Sequence, residues 1–442
     1  MSLELLLLSS CPLCPPVSSP DQLQSIINMD NVLTVESAIS LLLLLIQLPA
    51  TAILLSRLVK GPTRHPPIQP QQPTLEILGS VSVVVPTLNE ALRISPLLAG
   101  LSQQSYEVRE IIVVDSKSKD GTPDLVKASQ QQDPRFHLMN DDPLPSGWVG
   151  RPWALHSGFL QSSEASQWFL GMDADTQPHP GLVAGLVKTA EMQGYDLVSL
   201  SPQFILKYPG ECWLQPALLM TLLYRFDPAG IEAEQPERVM ANGQCFLCRR
   251  SVLTAVGGYT SAKSSFCDDV TLARYIAAQG FKVGFLDGAK VLKVRMYEGA
   301  IETWKEWGRS LDLKDASPPA QIWGDLWLLS AVQGLPLPIL LIYLSVFPLL
   351  SPPLLLHATY FMPGNPSTAV APLLLSLGLN VFLLLIRFAM LLAIAPSYDR
   401  QSAKGGWLFW LSPLADPIAV LRIFLSAFNT PREWRGRKYS AS

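Results

Sequence analysis

No lysine, arginine or histidine precedes Arg57 in this 442-residue chain. A secretory signal needs a positive start ahead of a longer apolar core, so the short Leu5–Leu8 run is not read as one. Cysteine is scarce, at six, and on a chain whose main domain reads as cytoplasmic this argues against a disulfide framework. Cys245 and Cys248 form a CxxC, but no second pair stands at zinc spacing, because Cys11 and Cys14 lie far off. The segment Gln244-Cys-Phe-Leu-Cys-Arg-Arg therefore reads as a strand with buried thiols rather than a metal site. Charge is also sparse, at 16 % of residues against 48 % hydrophobic, with a mean hydropathy of +0.25 that is high for a soluble protein. The net charge of −3 selects no class of partner, and no nucleic acid is expected as one.

The missing charges are concentrated. Ser37–Ser56 is twenty residues without one, about 30 Å as a helix and enough to span a hydrocarbon core. A second uncharged tract, Leu326–Ile386, is broken around His357–Pro366 and reads as two spans, about 326–350 and 368–395. Arg387 sits where it can snorkel, and Pro336, Pro338, Pro348, Pro352 and Pro353 make the first of these spans irregular. The last apolar stretch, Trp407–Phe428, contains Asp416 and Arg422, so it is read as interfacial or re-entrant rather than crossing. Glu4, Asp21, Asp30 and Glu36 precede the first span, and Arg57, Lys60 and Arg64 follow it. The positive-inside rule then gives an integral membrane protein with its large middle domain facing the cytoplasm. Arg400, Lys404 and the basic tail Arg432, Arg435, Arg437 and Lys438 agree if the last stretch does not cross. The expected organisation is a leader 1–36 without fixed structure, a membrane helix 37–57, a catalytic domain 75–325, two membrane helices within 326–395, an interfacial segment 405–430 and a tail 431–442.

The middle domain opens with two strand-like runs, Val81–Val85 ending at Pro86-Thr-Leu-Asn-Glu, and Ile111–Val114 ending at Asp115. Ala91–Gln104 between them has helical periodicity, and Asp120-Gly-Thr-Pro starts another helix with proline in its first turn. Strand, helix, strand, helix at these lengths predicts parallel βαβ units of an α/β domain, with ligands beyond the carboxyl ends of the strands. Thr87, Glu90, Asp115 and Ser116 fall at such ends. So does Met172-Asp-Ala-Asp-Thr, where an apolar run delivers Asp173 and Asp175 one residue apart, on one face of a strand tip. Two hard oxygen donors at that spacing suit Mg²⁺ or Mn²⁺ bound to a diphosphate, although one such pair alone also fits a turn or helix cap. Farther on, Asp268 and Asp269 open a helix that stops at Gly280. The helix dipole favours carboxylates there, and a carboxylate beside a second one gains proton affinity and can serve as a general base.

Pro86-Thr-Leu-Asn-Glu, Val113-Val-Asp-Ser with Asp120-Gly-Thr, Asp173-Ala-Asp and Cys267-Asp-Asp-Val-Thr-Leu resemble, in order, the motif set of family 2 glycosyltransferases with a GT-A fold. The likeness covers roughly residues 80–310. Gly147-Trp-Val-Gly-Arg-Pro-Trp-Ala and Trp434-Arg-Gly-Arg resemble a narrower subset, membrane-bound enzymes that glycosylate lipids, carotenoid 2′-O-glycosyltransferases among them. The resemblance implies that Pro86, Glu90, Asp115 and Asp173 hold the nucleoside, with Thr87 and Ser116 beside them, and that Asp175 binds the metal with Asp173. It makes Asp269 the base, next to Asp268, and brings Arg151 and Arg309 to the diphosphate. Arg151 stands where the family commonly has lysine. The Gln-x-x-Arg-Trp motif of processive synthases is absent, and Trp304-Lys-Glu-Trp-Gly-Arg309 occupies its region.

The expected activity is an inverting, single-sugar transfer from a nucleotide-diphospho-sugar to a hydroxyl of a bilayer lipid such as a carotenoid, with Trp304, Trp307 and Trp323 as interface anchors or packing residues. Transfer to a hopanoid, ceramide or polyprenyl phosphate stays open. So does a membrane assembly or transport component without catalysis, against which the intact acidic set argues.

Overall fold

Val81-Ser-Val-Val-Val-Pro-Thr carries branched residues at most positions and forms strand β1, Val81–Thr87, buried along its whole length, as a parallel strand covered on both faces must be. The computed structural model describes residues 20–308, 311, 313–345, 367–428, 433–434 and 437–438. Within them, β2 is Val108–Asp115, β3 Phe136–Asn140, β4 Trp168–Met172, β5 Thr176–Pro178, β6 Leu197–Ser201, β7 Gln203–Ile205, β8 Cys245–Arg249, β9 Val283–Asp287, β10 Leu292–Val294 and β11 Tyr398–Asp399. A seven-stranded sheet runs β3-β2-β1-β4-β8-β6-β9, parallel except where β8 enters between β4 and β6. A small sheet, β11-β7-β10-β5, adds a strand from the far end of the chain to the edge of the catalytic domain.

The principal helices are α1 (Pro20–Leu58), α2 (Ser95–Ser102), α3 (Thr122–Gln132), α4 (Gly150–Gln161), α5 (Leu182–Gln193), α6 (Pro209–Arg225), α7 (Asp268–Ala278), α8 (Pro319–Leu329), α9 (Ser367–Ile394) and α10 (Asp416–Phe428). On one face of the sheet, Val81, Val83 and Val85 pack with Leu97, Leu101, Val183 and Val187 from α2 and α5. On the other, Val84, Ile112 and Val114 pack with Leu155 and Phe159 of α4. The period-two alternation of β1 thus feeds two cores. Helix α2 is shorter than the expected Ala91–Gln104 because Pro96 lies in its first turn and residues 91–94 form a turn closed by Glu90 O. Strand β8 carries Cys245 and Cys248 as buried free thiols, as the packing reading required.

Among the described residues, four segments are long and apolar enough to cross a membrane: Val35–Thr63, Pro319–Ser345, Ala371–Ser397 and Gly406–Phe428. Three differences from the sequence reading stand out. Helix α1 begins at Pro20, inside the leader expected to lack structure, because no glycine or proline interrupts residues 21–48. The second segment starts at Pro319, within the range assigned to the catalytic domain, and is interrupted by a π turn at Ser330–Gly334 just before Pro336. Arg387 does not snorkel: it is buried against Asp416, Nε to Oδ2 2.8 Å, with Ser412 Oγ accepting from its Nη2 at 3.1 Å. Arg432, Arg435 and the break around 357–366 lie outside the described residues.

Candidate active site

The carboxyl ends of β2, β1 and β4 lie side by side; Asp115 is the last residue of β2, Glu90 follows β1 and Asp173 follows β4. A cavity of ≈ 1410 Å³ opens there, lined by Pro86, Glu90, Arg151, Asp173, Asp175, Asp268 and Asp269. Strand β4 ends at Met172, so Asp173 and Asp175 project from the turn after it rather than from the strand itself, closed by Thr176 Oγ1 donating to Asp173 O at 2.8 Å. Thr87, Asp115 and Ser116 are buried beside the cavity but do not line it. There Thr87 Oγ1 donates to Asp115 Oδ1 at 3.2 Å, the Ser118 N–H donates to Asp115 Oδ2 at 3.0 Å, and Ser116 Oγ donates to Asp141 Oδ2 at 2.8 Å.

Arg151 is the hub. It sits in the first turn of α4, which is pressed so tightly on the sheet that a Cβ at Gly158 would overlap Val84. Its Nε donates to Asp173 Oδ1 at 2.9 Å, Nη2 to Gly243 O at 2.9 Å, and Nη1 pairs with Asp268. Burial opposes the cation, but Asp173, Asp268 and Asp269 raise its pKa well above the ordinary value. Trp148 and Trp153 of the preceding motif are packed around His156, at 5.0 and 6.0 Å between ring centres, so they brace α4.

The acidic pair at the start of α7 is divided in its contacts. Asp268 is buried and held by Arg151; burial pushes its carboxyl up to about 7, Arg151 opposes that, and Asp269 adds to it. Asp269 borders the cavity, accepts the Gly243 N–H on Oδ2 at 2.6 Å and its neighbour's N–H on Oδ1 at 2.9 Å. Its pKa is also raised, by burial first. Burial outweighs the like-charge effect emphasised by the sequence. The same cavity is also lined by Leu58, Leu222, Leu223, Met390 and Ile394, near the C-terminal ends of α1, α6 and α9.

Asp173 and Asp175 suit a divalent cation. Among the described residues no three His, Cys, Asp or Glu side chains converge to hold a metal unaided. Mg²⁺ and Mn²⁺ commonly need only one or two carboxylates when substrate phosphates and waters complete the shell, and both aspartates face a cavity with room for a diphosphate.

Residues 82–257 match the family model described as Glycosyl transferase family 2. The chain carries a family 2 glycosyltransferase domain. It is a nucleotide-sugar glycosyltransferase of the GT-A fold, flanked by helices able to span a membrane. It is 25 % identical over 262 residues to a 4,4'-diaponeurosporenoate glycosyltransferase of Staphylococcus haemolyticus, covering 59 % of this chain and 68 % of that one. It is 33 % identical over 127 residues to an undecaprenyl-phosphate 4-deoxy-4-formamido-L-arabinose transferase of Serratia proteamaculans, covering 28 % of this chain but only 37 % of that protein's length. Among solved structures it is similar to a mannosyltransferase from Pyrobaculum calidifontis in complex with GDP-Man and Mn2+, with TM-score 0.48 and 18 % identity, covering 89 % and 99 % of the two chains.

For this glycosyltransferase the sequence reading missed the Ala241–Gln244 loop, whose Gly243 offers its carbonyl to Arg151 and its N–H to Asp269. A backbone contribution leaves no side-chain pattern. The only trace is the glycine itself, because a Cβ there would overlap the Arg151 guanidinium. Also missed was Arg93, whose Nη2 pairs with Glu302 at 2.8 Å and whose Nη1 donates to Met296 O at 2.8 Å, tying the cavity wall to the segment after β1. Trp307 is a core residue against Phe204, not an interface anchor, whereas Trp323 is exposed. Arg309 lies outside the described residues.

Proposed function

We propose that the protein transfers one sugar, with inversion, from a nucleotide-diphospho-sugar to a hydroxyl of an apolar membrane lipid of carotenoid type. The observation that carries this reading is one cavity lined both by the acidic strand-end cluster and by apolar residues from the ends of α1, α6 and α9. A water-soluble donor is suited to the acidic lining and a bilayer-resident acceptor to the apolar lining.

In this reading Pro86 and Glu90 face the nucleoside, with Thr87, Asp115 and Ser116 behind them as the nucleoside-binding end of the strands, and Asp173 and Asp175 would hold Mg²⁺ or Mn²⁺ beside the diphosphate. When bound, such a cation would supply Lewis-acid neutralisation of the leaving group. Asp269 accepts the acceptor hydroxyl proton as that oxygen forms its bond to the anomeric carbon from the face opposite the diphosphate. The anomeric carbon–oxygen bond breaks, and its electron pair leaves with the nucleoside diphosphate. Arg151 keeps Asp173 and Asp268 in place and supplies positive charge behind the diphosphate. The absence of a Gln-x-x-Arg-Trp motif supports one transfer per acceptor.

Arg57, half-buried on the cavity wall beside Leu58 at the C-terminal end of α1, favours a second reading in which the acceptor is a lipid phosphate. The metal-dependent step is open to direct test by titration calorimetry with nucleoside diphosphates. Removal of metal by EDTA should stop transfer, Mn²⁺ or Mg²⁺ should restore it, and Asp175→Ala should weaken metal-dependent binding. Equal affinity with and without metal would sink this part of the mechanism.

A further inference from the structure

Helix α10 divides its residues sharply. Leu421, Phe424, Leu425 and Phe428 are exposed, while Ala419, Val420, Ile423 and Ser426 are buried. Its inward polar groups reach the wall of the active site. Thr303–Trp307 is wound as a π turn closed by the Gly308 N–H on Thr303 O, and Lys305, Glu306 and Trp307 line the cavity. Carbonyls of this segment are taken up from α10: Arg422 Nε donates to Trp304 O at 2.7 Å, Arg422 Nη2 to Lys305 O at 3.3 Å, and Ser426 Oγ to Gly308 O at 2.7 Å. Gly308 is fitted to this contact, since a Cβ there would overlap the Arg422 stem. Residues 406–428, which contain α10, touch the catalytic domain near both ends, the Lys404 N–H donating to Lys207 O at 2.8 Å ahead of them and Ser426 reaching Gly308 near their end.

We propose that α10 is a clamp seated on a lipid surface, and that Arg422 and Ser426 are positioning residues through which the bilayer fixes the Thr303–Gly308 wall of the cavity. The occupant of the exposed face is the bilayer. That face carries no charge between Pro417 and Phe428, Arg422 being turned inward, and it is joined through the buried Arg387–Asp416 pair to α9, which itself exposes Leu385, Phe388 and Leu392. A π turn is a wider and less regular winding that recurs at functional sites, and a charge-assisted bond from a guanidinium is a strong way to hold its carbonyls. The proposal rests on the cavity being the transfer site only in what it says about catalysis, because the mechanical link is readable without substrate.

The test is hydrogen exchange of the full chain in nanodiscs of phosphatidylcholine and phosphatidylglycerol, compared with detergent micelles. Amides of residues 303–308 should exchange more slowly in nanodiscs. Arg422→Gln should remove that protection, speeding exchange there by roughly tenfold or more. Ser426→Ala should give a smaller change, and Arg422→Lys, which keeps the charge without the fork, should give an intermediate one. Residues 168–175 serve as the internal reference. Unchanged exchange at 303–308 in both Arg422→Gln and Ser426→Ala, equal rates in nanodiscs and micelles, or acceleration no larger than at 168–175 would each overturn the clamp. Failure to find any sugar transfer would overturn the proposed function and leave this result standing.

Discussion

Arg151 carries one positive charge and is shared among Asp173, Asp268 and the Gly243 carbonyl, which leaves Asp269, held by backbone N–H groups at the cavity wall, as the candidate base of the pair. Asp269→Asn keeps the shape and removes the proton acceptor, so transfer should fall by roughly 10²- to 10⁴-fold while nucleotide binding persists. Activity within about tenfold of the parent would overturn the assignment. The pH profile follows from the raised pKa values of the coupled pair. A base must be ionised, and a carboxyl raised above its ordinary 3.8 becomes protonated as pH falls through the raised value. Transfer should therefore decline on the acid side well before an ordinary carboxylate would titrate. Such a limb belongs to the pair rather than to either residue. A rate that stays flat down to about pH 4 would contradict the burial argument. Much of this site was legible in the sequence because Glu90, Asp115, Asp173, Asp175 and Asp269 are side chains placed at strand and helix ends by local pattern. Gly243 and the Arg93–Glu302 pair were not, the first acting through its backbone and the second joining residues 209 positions apart.

At the scale of elements, the βαβ start of the domain was readable because β1 and β2 are runs of branched residues and Pro123 marks the first turn of α3. Boundaries were less so: Pro96 sets the start of α2, and the uninterrupted composition of residues 21–48 lets α1 begin early. The membrane-segment reading treated Asp416 and Arg422 as isolated charges at roughly 2.5 to 3.5 kcal/mol each. Both are in fact partnered, Asp416 with Arg387 and Gln333, and Arg422 with backbone carbonyls. Partners distant in sequence cannot be read from the local pattern that fixed the strands. The close approach of α4 to the sheet gives a prediction at this scale. Gly158→Ala places a methyl group against Val84 and should destabilise the protein by about 1–3 kcal/mol through overpacking, while lifting the helix that carries Arg151. Thermal unfolding and transfer rate should fall together, and an unchanged unfolding temperature would show that α4 yields without cost.

For the whole molecule, the basic residues Arg57, Lys60 and Arg64 after the first span predict a catalytic domain on the cytoplasmic side, with the chain after α10 on that side too. Residues 406–428 are long and apolar enough to cross, but contacts to the catalytic domain near both ends, Lys404 N–H to Lys207 O and Ser426 Oγ to Gly308 O, favour a segment that folds back. Single cysteines at Gln130→Cys and Lys438→Cys, in a chain freed of its native cysteines, should both resist an impermeant thiol reagent in intact cells and react after lysis. Reaction at position 438 alone in intact cells would show a further crossing. The central claim is that the cavity moves a sugar onto a bilayer lipid, and the most direct measurement is mass spectrometry of total lipid and pigment extracts. Extracts from cells lacking the gene, complemented either with the parent chain or with Asp269→Asn, should differ in one class of glycosylated lipid. It should be restored only by the parent, with the free hydroxyl compound accumulating in the variant. Identical extracts from both would contradict the account.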